Sequence, residues 1–358
     1  MDNSIEERRF SLESRRYIGC KTKLVDWIFS LIDEQTHDIH SFCDIFAGTG
    51  VVAHRALQKY ERVVVNDFLH SNNVMYEAFF APTEWNEVKV QTIIEKFNAV
   101  NPAKVRENYF SKNFGGKYFY HNTAKVIGYI RGQLKKMKAD LTDKEYAVLM
   151  ASLIYSMDRH ANTLGHFDAY SHKAPAAHQF QMRMIDAASY KGVEIHQADA
   201  NQLARYIDVD LTYLDPPYNS RQYSRFYHVY ENLVQWKRPQ LFGTALKPKE
   251  ENMSDYCRNA AFTAFTDLVS HIRSRYLVVS YNNTYHSKST SSENKIKLEQ
   301  LEEVLNKCGN TQVFNHEFKA FNSGKTEFDD HREYLFITEV DNERRNRSFP
   351  NVLCGGQI

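Results

Sequence analysis

The chain has 358 residues, of which 42% are hydrophobic and 25% charged, with 45 Lys and Arg against 44 Asp and Glu. That is ordinary globular composition, and the length suggests one large domain with an elaboration, or two domains. A net charge of +1 excludes a polycation, so any nucleic-acid surface has to come from local clustering.

The cysteines at 20, 43, 257, 308 and 354 are scattered and form no CxxC pair, which supports neither a zinc site nor a disulfide framework. This usage fits a reducing cytoplasm. The N-terminal MDNSIEERRF is charged and lacks an apolar signal core. No apolar run reaches the roughly 18 residues of a membrane span.

Taken in chain order, short apolar runs ending in polar residues recur at 41–46, 62–67, 193–196, 210–215, 276–281, 311–316 and 332–337. Such runs suit strands covered on both faces, as in a mostly parallel sheet flanked by helices. The fold class expected is therefore an open α/β sheet. Between the second and third runs lies a long, mainly helical stretch, with 121–138 and 142–160 as its clearest helices. Asp143, after Thr142 and a polar break, reads as a helix start. We expect a sheet domain from 1–80 and 191–340, a helical lobe at 81–190 and a tail at 341–358. The polar stretch 242–259 reads as a loop, and the basic stretches 131–138 and 342–347 read as solvated surface.

Chemistry is concentrated at the ends of the predicted strands. FCDIFAGTG (42–50) is a strand, a glycine-rich turn and then a helical run. Gly48 and Gly50 allow close approach of backbone to a ligand. The spacing is not GxGxxG, and no Gly-Lys-Ser follows, which disfavours a phosphate loop. Asp67 ends the next strand, where an acid can take both hydroxyls of a ribose or cap a helix. Asp199 follows the third strand, where it can accept from an adenine amino group or, again, cap a helix.

The fourth run ends in LTYLDPPYNS (211–220). Two successive prolines remove backbone donors and fix φ, so the strand has to stop at Asp215. Its carboxylate, the carbonyl of Pro216 and the ring of Tyr218 then face whatever lies above the strand end. In open α/β sheets that is where ligands bind.

This order of glycine turn, ribose acid, adenine acid and Asp-Pro-Pro-Tyr resembles the S-adenosylmethionine-dependent N6-adenine DNA methyltransferases of the Dam-like D12 class, the alpha group. YIGCK (17–21) is similar to that family's aromatic-x-Gly-x-Lys element, and YLVVSYNN (276–283) to the strand and loop after its catalytic helix. Cys20 stands where a Ser or Gly is more usual. The resemblance implies a Rossmann-like methyltransferase with a mixed, mostly parallel seven-stranded sheet, the helical lobe serving target recognition. It carries Tyr17, Lys21, Asp44, Phe46, Gly48, Gly50, Asp67 and Asp199 to an S-adenosylmethionine pocket, and Asp215, Pro216, Pro217 and Tyr218 to the catalytic corner. Double-stranded DNA is the implied partner, with a cognate restriction endonuclease acting independently; no metal is implied.

After the corner, a helix is expected at about 223–236. Arg221 and Arg225 are positioned to reach DNA phosphates. Tyr227 and His228 read as packing residues. In the lobe, Asn162, Thr163, His166 and Lys173 can contact bases or phosphates, or else build a structured loop against the catalytic half. An RNA adenine methyltransferase more often begins its tetrapeptide with Asn, and a cytosine N4 enzyme with Ser. A non-catalytic DNA-binding relative is the alternative from another class.

Overall fold

The computed structural model describes residues 9–171, 173–284, 293–317 and 332–345. The chain begins with α1 (Val25–Gln35), β1 (Ser41–Asp44), α2 (Val51–Leu57), β2 (Arg62–Asn66) and α3 (His70–Phe79). Four helices follow without a strand between them: α4 (Glu87–Asn98), α5 (Tyr109–Phe114), α6 (His121–Met137) and α7 (Asp143–His160). Alternation then resumes with β3 (Val193–His196), α8 (Ala200–Leu203), β4 (Leu211–Leu214), α9 (Tyr223–Phe226), α10 (His228–Gln235) and α11 (Ala261–His271). It closes with β5 (Tyr276–Asn282), α12 (Leu298–Asn306), β6 (Gly309–Glu317), β7 (Arg332–Val340) and α13 (Asn342–Arg345).

The seven strands form one sheet in the order β3-β2-β1-β4-β5-β7-β6. β7 runs antiparallel to both its neighbours, and the remaining pairs are parallel. The chain winds outward from β1 to β3 and then returns to lay β4 against the other side of β1. That reversal opens a crevice at the carboxyl ends of β1 and β4, the usual place for a ligand in such sheets.

Strand periodicity divides the core in two. Phe42, Val63, Val65, Tyr276, Val278, Leu335 and Ile337 face one apolar cluster. Their alternates Cys43, Val64, Leu277, Val279 and Phe336 face the other. This is the two-residue alternation of a sheet covered on both sides. α8, α11 and α12 supply the second cluster. The first holds α1, α2 and α3 together with apolar residues of all four inserted helices, among them Ile94, Phe110, Ile127 and Leu153.

Local chemistry fixes the inserted helices. Thr142 and Glu145 cap α7 reciprocally: Glu145 N donates to Thr142 Oγ1 at 3.1 Å and Thr142 N to Glu145 Oε2 at 3.0 Å. Lys144, one position earlier, is buried and donates to the carbonyls of Ala81 (2.9 Å) and Ala188 (2.6 Å). Burial lowers its pKa to about 8.

The helix expected at 223–236 is two helices. Tyr227, at φ −109° and ψ 22°, breaks it. The break lets the Tyr227 ring stack on Tyr17, centroids 4.5 Å apart and 8° from parallel, while its hydroxyl accepts from Ile18 N at 2.8 Å. Tyr227 and His228 are both buried, as packing residues should be. Among the described residues no helix is long and apolar enough to cross a membrane. Most of the tail lies outside the described residues.

Candidate active site

The crevice over β1 and β4 encloses about 1050 Å³ of space, including its open mouth. The four acids singled out in the sequence, Asp44, Asp67, Asp199 and Asp215, all line it. So do Tyr17, Lys21, Phe46, Gly48 and Pro217.

The glycine turn forms the floor of the crevice. Ala47 N donates to Asn66 O at 2.9 Å, and Gly48 N to Asp67 Oδ2 at 3.1 Å. The Tyr76 hydroxyl donates to Gly48 O at 2.8 Å. Gly48 (φ 53°) and Gly50 (φ 81°) are both left-handed, a conformation that strains any residue with a Cβ. Gly50 does not line the crevice; it sits behind it as the N-cap of α2. A Cβ there would meet Tyr76 at 3.1 Å and Phe80 at 3.2 Å. Asn66 ties the tips of β1 and β3 together, donating to Ile45 O at 3.0 Å and Ala198 O at 3.1 Å.

Each acid has a distinct electrostatic setting. Asp44 is almost fully buried; its Oδ2 accepts from Ala53 N at 3.1 Å, and its Oδ1 has no hydrogen-bond partner among the described residues. Burial, reinforced by Asp215, raises its pKa well above the usual carboxylate range. Asp67 accepts from Leu69 N (2.8 Å) and Gly48 N (3.1 Å), yet burial still pushes its pKa up to about 6. Asp199 is exposed and caps α8, accepting from Gln202 N at 3.1 Å, while also facing the crevice. The helix-cap reading holds, and the same residue also lines the crevice.

At the end of β4, Lys21 Nζ donates to Asp215 Oδ1 at 3.0 Å, and the Tyr218 hydroxyl donates to the same oxygen. Behind them stands Glu333, on β7. Its Oε1 lies 3.1 Å from Lys21 Nζ and 2.9 Å from the Tyr218 hydroxyl, whose single proton can serve either carboxylate, and it accepts from Ser280 Oγ (2.8 Å). Burial alone would depress the Lys21 ammonium, but Asp215 and Glu333 more than offset this and hold it above its ordinary pKa. Burial raises Asp215, Lys21 opposes the rise, and Glu333 adds to it. The Lys21 ammonium also lies 4.9 Å from the centre of the Tyr218 ring, which meets Tyr281 edge-on. Pro217 lines this crevice, whereas Pro216 and Tyr218 are not part of its lining.

Sequence reading missed two contributors. Glu333 begins a strand far along the chain, and nothing local marks it as part of the site. The other is the stretch 252–256 within the expected loop, which closes over the crevice. Ser254 N donates to Gln222 Oε1 at 2.8 Å, and Gln222 Nε2 donates back to Ser254 O at 2.9 Å. The Tyr256 ring meets Phe46 edge-on at 5.0 Å, and its hydroxyl donates to Asn201 Oδ1 at 2.6 Å. A lone tyrosine in a polar stretch was the one available signal.

The residues assigned to nucleic acid lie outside the crevice. Arg225 donates to Pro248 O at 2.6 Å, and Arg221 lies over the Phe226 ring at 5.8 Å. Asn162 Nδ2 is directed at three carbonyls, those of Lys117, Ser171 and Lys173, at 3.2, 3.1 and 2.8 Å. Thr163 Oγ1 accepts from Gly165 N at 3.4 Å. His166 packs edge-on against Phe226 at 4.9 Å, and Lys173 is exposed.

A seven-stranded sheet in this order, its seventh strand reversed and a glycine turn after its first, is the frame of a Rossmann-like methyltransferase. Residues 17–278 match the family described as D12 class N6 adenine-specific DNA methyltransferase, and the chain belongs to that family. Its members are enzymes that transfer a methyl group to DNA. The chain is similar to the type II methyltransferase M.CviAII of Paramecium bursaria Chlorella virus 1, 30% identical over 340 residues, covering 91% of this chain and 98% of that protein. It is 28% identical over 342 residues to M.NlaIII of Neisseria lactamica, covering 90% of this chain and 98% of that one. With M.FokI of Planomicrobium okeanokoites it shares 28% over 353 residues; the match takes in 91% of this chain but 53% of M.FokI, about half its length.

Proposed function

We propose that the chain methylates N6 of an adenine flipped out of duplex DNA, at a specific sequence, with S-adenosylmethionine as donor. The reading rests on one observation: the four strand-end acids, Asp215 among them, share a single crevice with the glycine turn.

The residues present suit that donor. Asp44 Oδ1, buried without a partner among the described residues, calls for a hydrogen-bond donor or cation such as an amino group. Asp67 keeps acceptor capacity for ribose hydroxyls, Asp199 faces the base, Tyr17, Lys21, Phe46 and Gly48 shape the walls, and Gly50 supports the turn as the N-cap of α2. When bound, S-adenosylmethionine supplies a methyl group on a cationic sulfur, which keeps the bond electrons as the new N–C bond forms.

An exocyclic adenine amine is a poor nucleophile, because its lone pair is delocalised into the ring. Both contacts to Asp215 fall on Oδ1. We infer that Oδ2 accepts one amino hydrogen and the Pro216 carbonyl the other, which turns the nitrogen lone pair toward the methyl group. Pro217, with its fixed φ, helps hold that carbonyl still. Holding the reacting atoms in line supplies most of the rate gain, and the proton shed by the alkylated nitrogen leaves through Asp215. Tyr218 stacks on the base with the face Lys21 does not cover; such stacking, about 1–3 kcal/mol, offsets part of the cost of flipping.

The inserted helices would read the target, with Arg221, Arg225, Asn162, Thr163, His166 and Lys173 nearest the DNA. The relatives are type II methyltransferases, which supports a cytoplasmic role in protecting host DNA, beside a restriction endonuclease that acts independently. The test is methyl transfer from labelled S-adenosylmethionine to duplex DNA, with the modified base located by modification-sensitive sequencing. Asp215→Ala should abolish transfer while leaving thermal unfolding unchanged. Wild-type turnover in that variant would refute the assigned chemistry.

A further inference from the structure

Asp215 could not serve an incoming amine well were it the sole counter-charge of the buried Lys21 ammonium. Lys21 and Glu333 are each about 5% exposed or less at the side chain, and Asp215 only 17%. In so dry a setting a charged donor on the carboxylate outcompetes a neutral N–H. The same two donors that reach Asp215 Oδ1, the Lys21 ammonium and the Tyr218 hydroxyl, also reach Glu333 Oε1 at 3.1 and 2.9 Å. Glu333 is pinned in turn by Ser280 Oγ at 2.8 Å.

We propose that Glu333 is a positioning residue for methyl transfer: it is the second acceptor for Lys21 and the Tyr218 hydroxyl, onto which both shift as adenine enters, freeing the Asp215 carboxylate for the amino group. This rests on the reading of Asp215 given above. The arrangement also sets the charge of the corner. Two carboxylates against one ammonium leave one net negative charge beside the nitrogen as it turns cationic. Without Glu333, Lys21 and Asp215 form a closed neutral pair. Glu333 need not touch the substrate; it acts through Lys21, Tyr218 and Asp215.

Glu333→Gln keeps the size and one acceptor but removes the charge. Expected are native thermal unfolding, cofactor affinity by calorimetry within about twofold of wild type, and KM for DNA little changed. kcat should fall by up to roughly a hundredfold, the loss typical when a reacting group is held out of place. A merely structural residue would not move the acid limb of the kcat profile. Here that limb should shift to lower pH, because removing Glu333 removes a like charge that raises Asp215. Adding Lys21→Met to Glu333→Gln should cost less than the two single losses multiplied, since one acts through the other.

Wild-type kcat and an unmoved acid limb in Glu333→Gln would overturn the proposal. Should Glu333→Gln fail to fold, Glu333→Asp carries the test: it keeps the charge, so at least part of kcat and the wild-type acid limb should survive, and loss of both with native folding would equally overturn it. Asp215→Asn, run alongside, separates the two claims. An inactive Asp215→Asn with a normal Glu333→Gln sinks only the role of Glu333, whereas an active Asp215→Asn sinks the reaction on which it rests.

Discussion

Asp158, in the last turn of α7, accepts the hydroxyl of Tyr230 on α10 at 2.6 Å while its other carboxylate oxygen accepts from Arg16 at 3.1 Å. One buried carboxylate thereby ties the inserted helices, the helix after the Asp-Pro-Pro-Tyr corner and the N-terminal segment together. Asp158→Ala leaves the Tyr230 hydroxyl and the Arg16 guanidinium without that partner. Arg16 is 40% exposed at its side chain, so water recovers part of its loss. The expected destabilisation is about 2–3 kcal/mol, read as a lower midpoint in denaturant unfolding.

Gly50 should not tolerate a methyl group. Its φ of 81° and the Tyr76 ring, 3.1 Å from where a Cβ would stand, act together. Gly50→Ala is expected to cost about 1–3 kcal/mol. Because Tyr76 also donates to Gly48 O, cofactor affinity should fall with stability. Calorimetric titration beside thermal unfolding checks both.

Asp67 gives the pocket a pH dependence. Its pKa, pushed from 3.8 to about 6 mainly by burial, means that the carboxylate is lost as pH falls through about 6. If ribose hydroxyls need that carboxylate, cofactor affinity declines below this point by at most about tenfold per pH unit, the limit for one proton. Stability of the ligand-free protein moves the other way. A raised pKa contributes stability that is complete below the unfolded value of 3.8 and is lost as pH rises through about 6. Asp67→Asn should flatten the affinity profile across this window.

Asn162 and Lys173 share one loop but should behave differently. The Asn162 amide is aimed at three backbone carbonyls, so Asn162→Ala is expected to cost about 1–3 kcal/mol of stability, with weaker DNA binding only as a consequence. Lys173 is exposed. Lys173→Ala should leave unfolding unchanged, weaken binding on every DNA sequence alike and reduce the slope of log affinity against log salt by about 1. An unchanged salt slope removes Lys173 from the interface.

Residues 41–50 and 211–218 were legible because their constraints are local. Apolar runs must be buried, prolines must end a strand, and glycines mark turns that other residues resist. The start of α7 at Asp143 was readable for the same reason. Glu333 was not, because its partners Lys21 and Tyr218 are remote in sequence and meet it only once β7 is inserted beside β5. The break at Tyr227 escaped notice because helix propensity carries no trace of the stacked Tyr17 ring that favours it. Asp199 both caps α8 and lines the crevice, because the helix it caps starts at the pocket's edge.

The shared apolar cluster on one side of the sheet limits how this protein can acquire new sequence preferences. Exchanging helices α4 to α7 wholesale with those of a relative would disturb the packing of α7 on α3 and the apolar cluster they share. Chimeras made that way should misfold before their specificity is ever expressed. If the segment after α7 reads the target as proposed, variation in target choice should accumulate as point changes at its exposed positions, such as Leu164, Asp168 and Lys173, with the packed interior held constant.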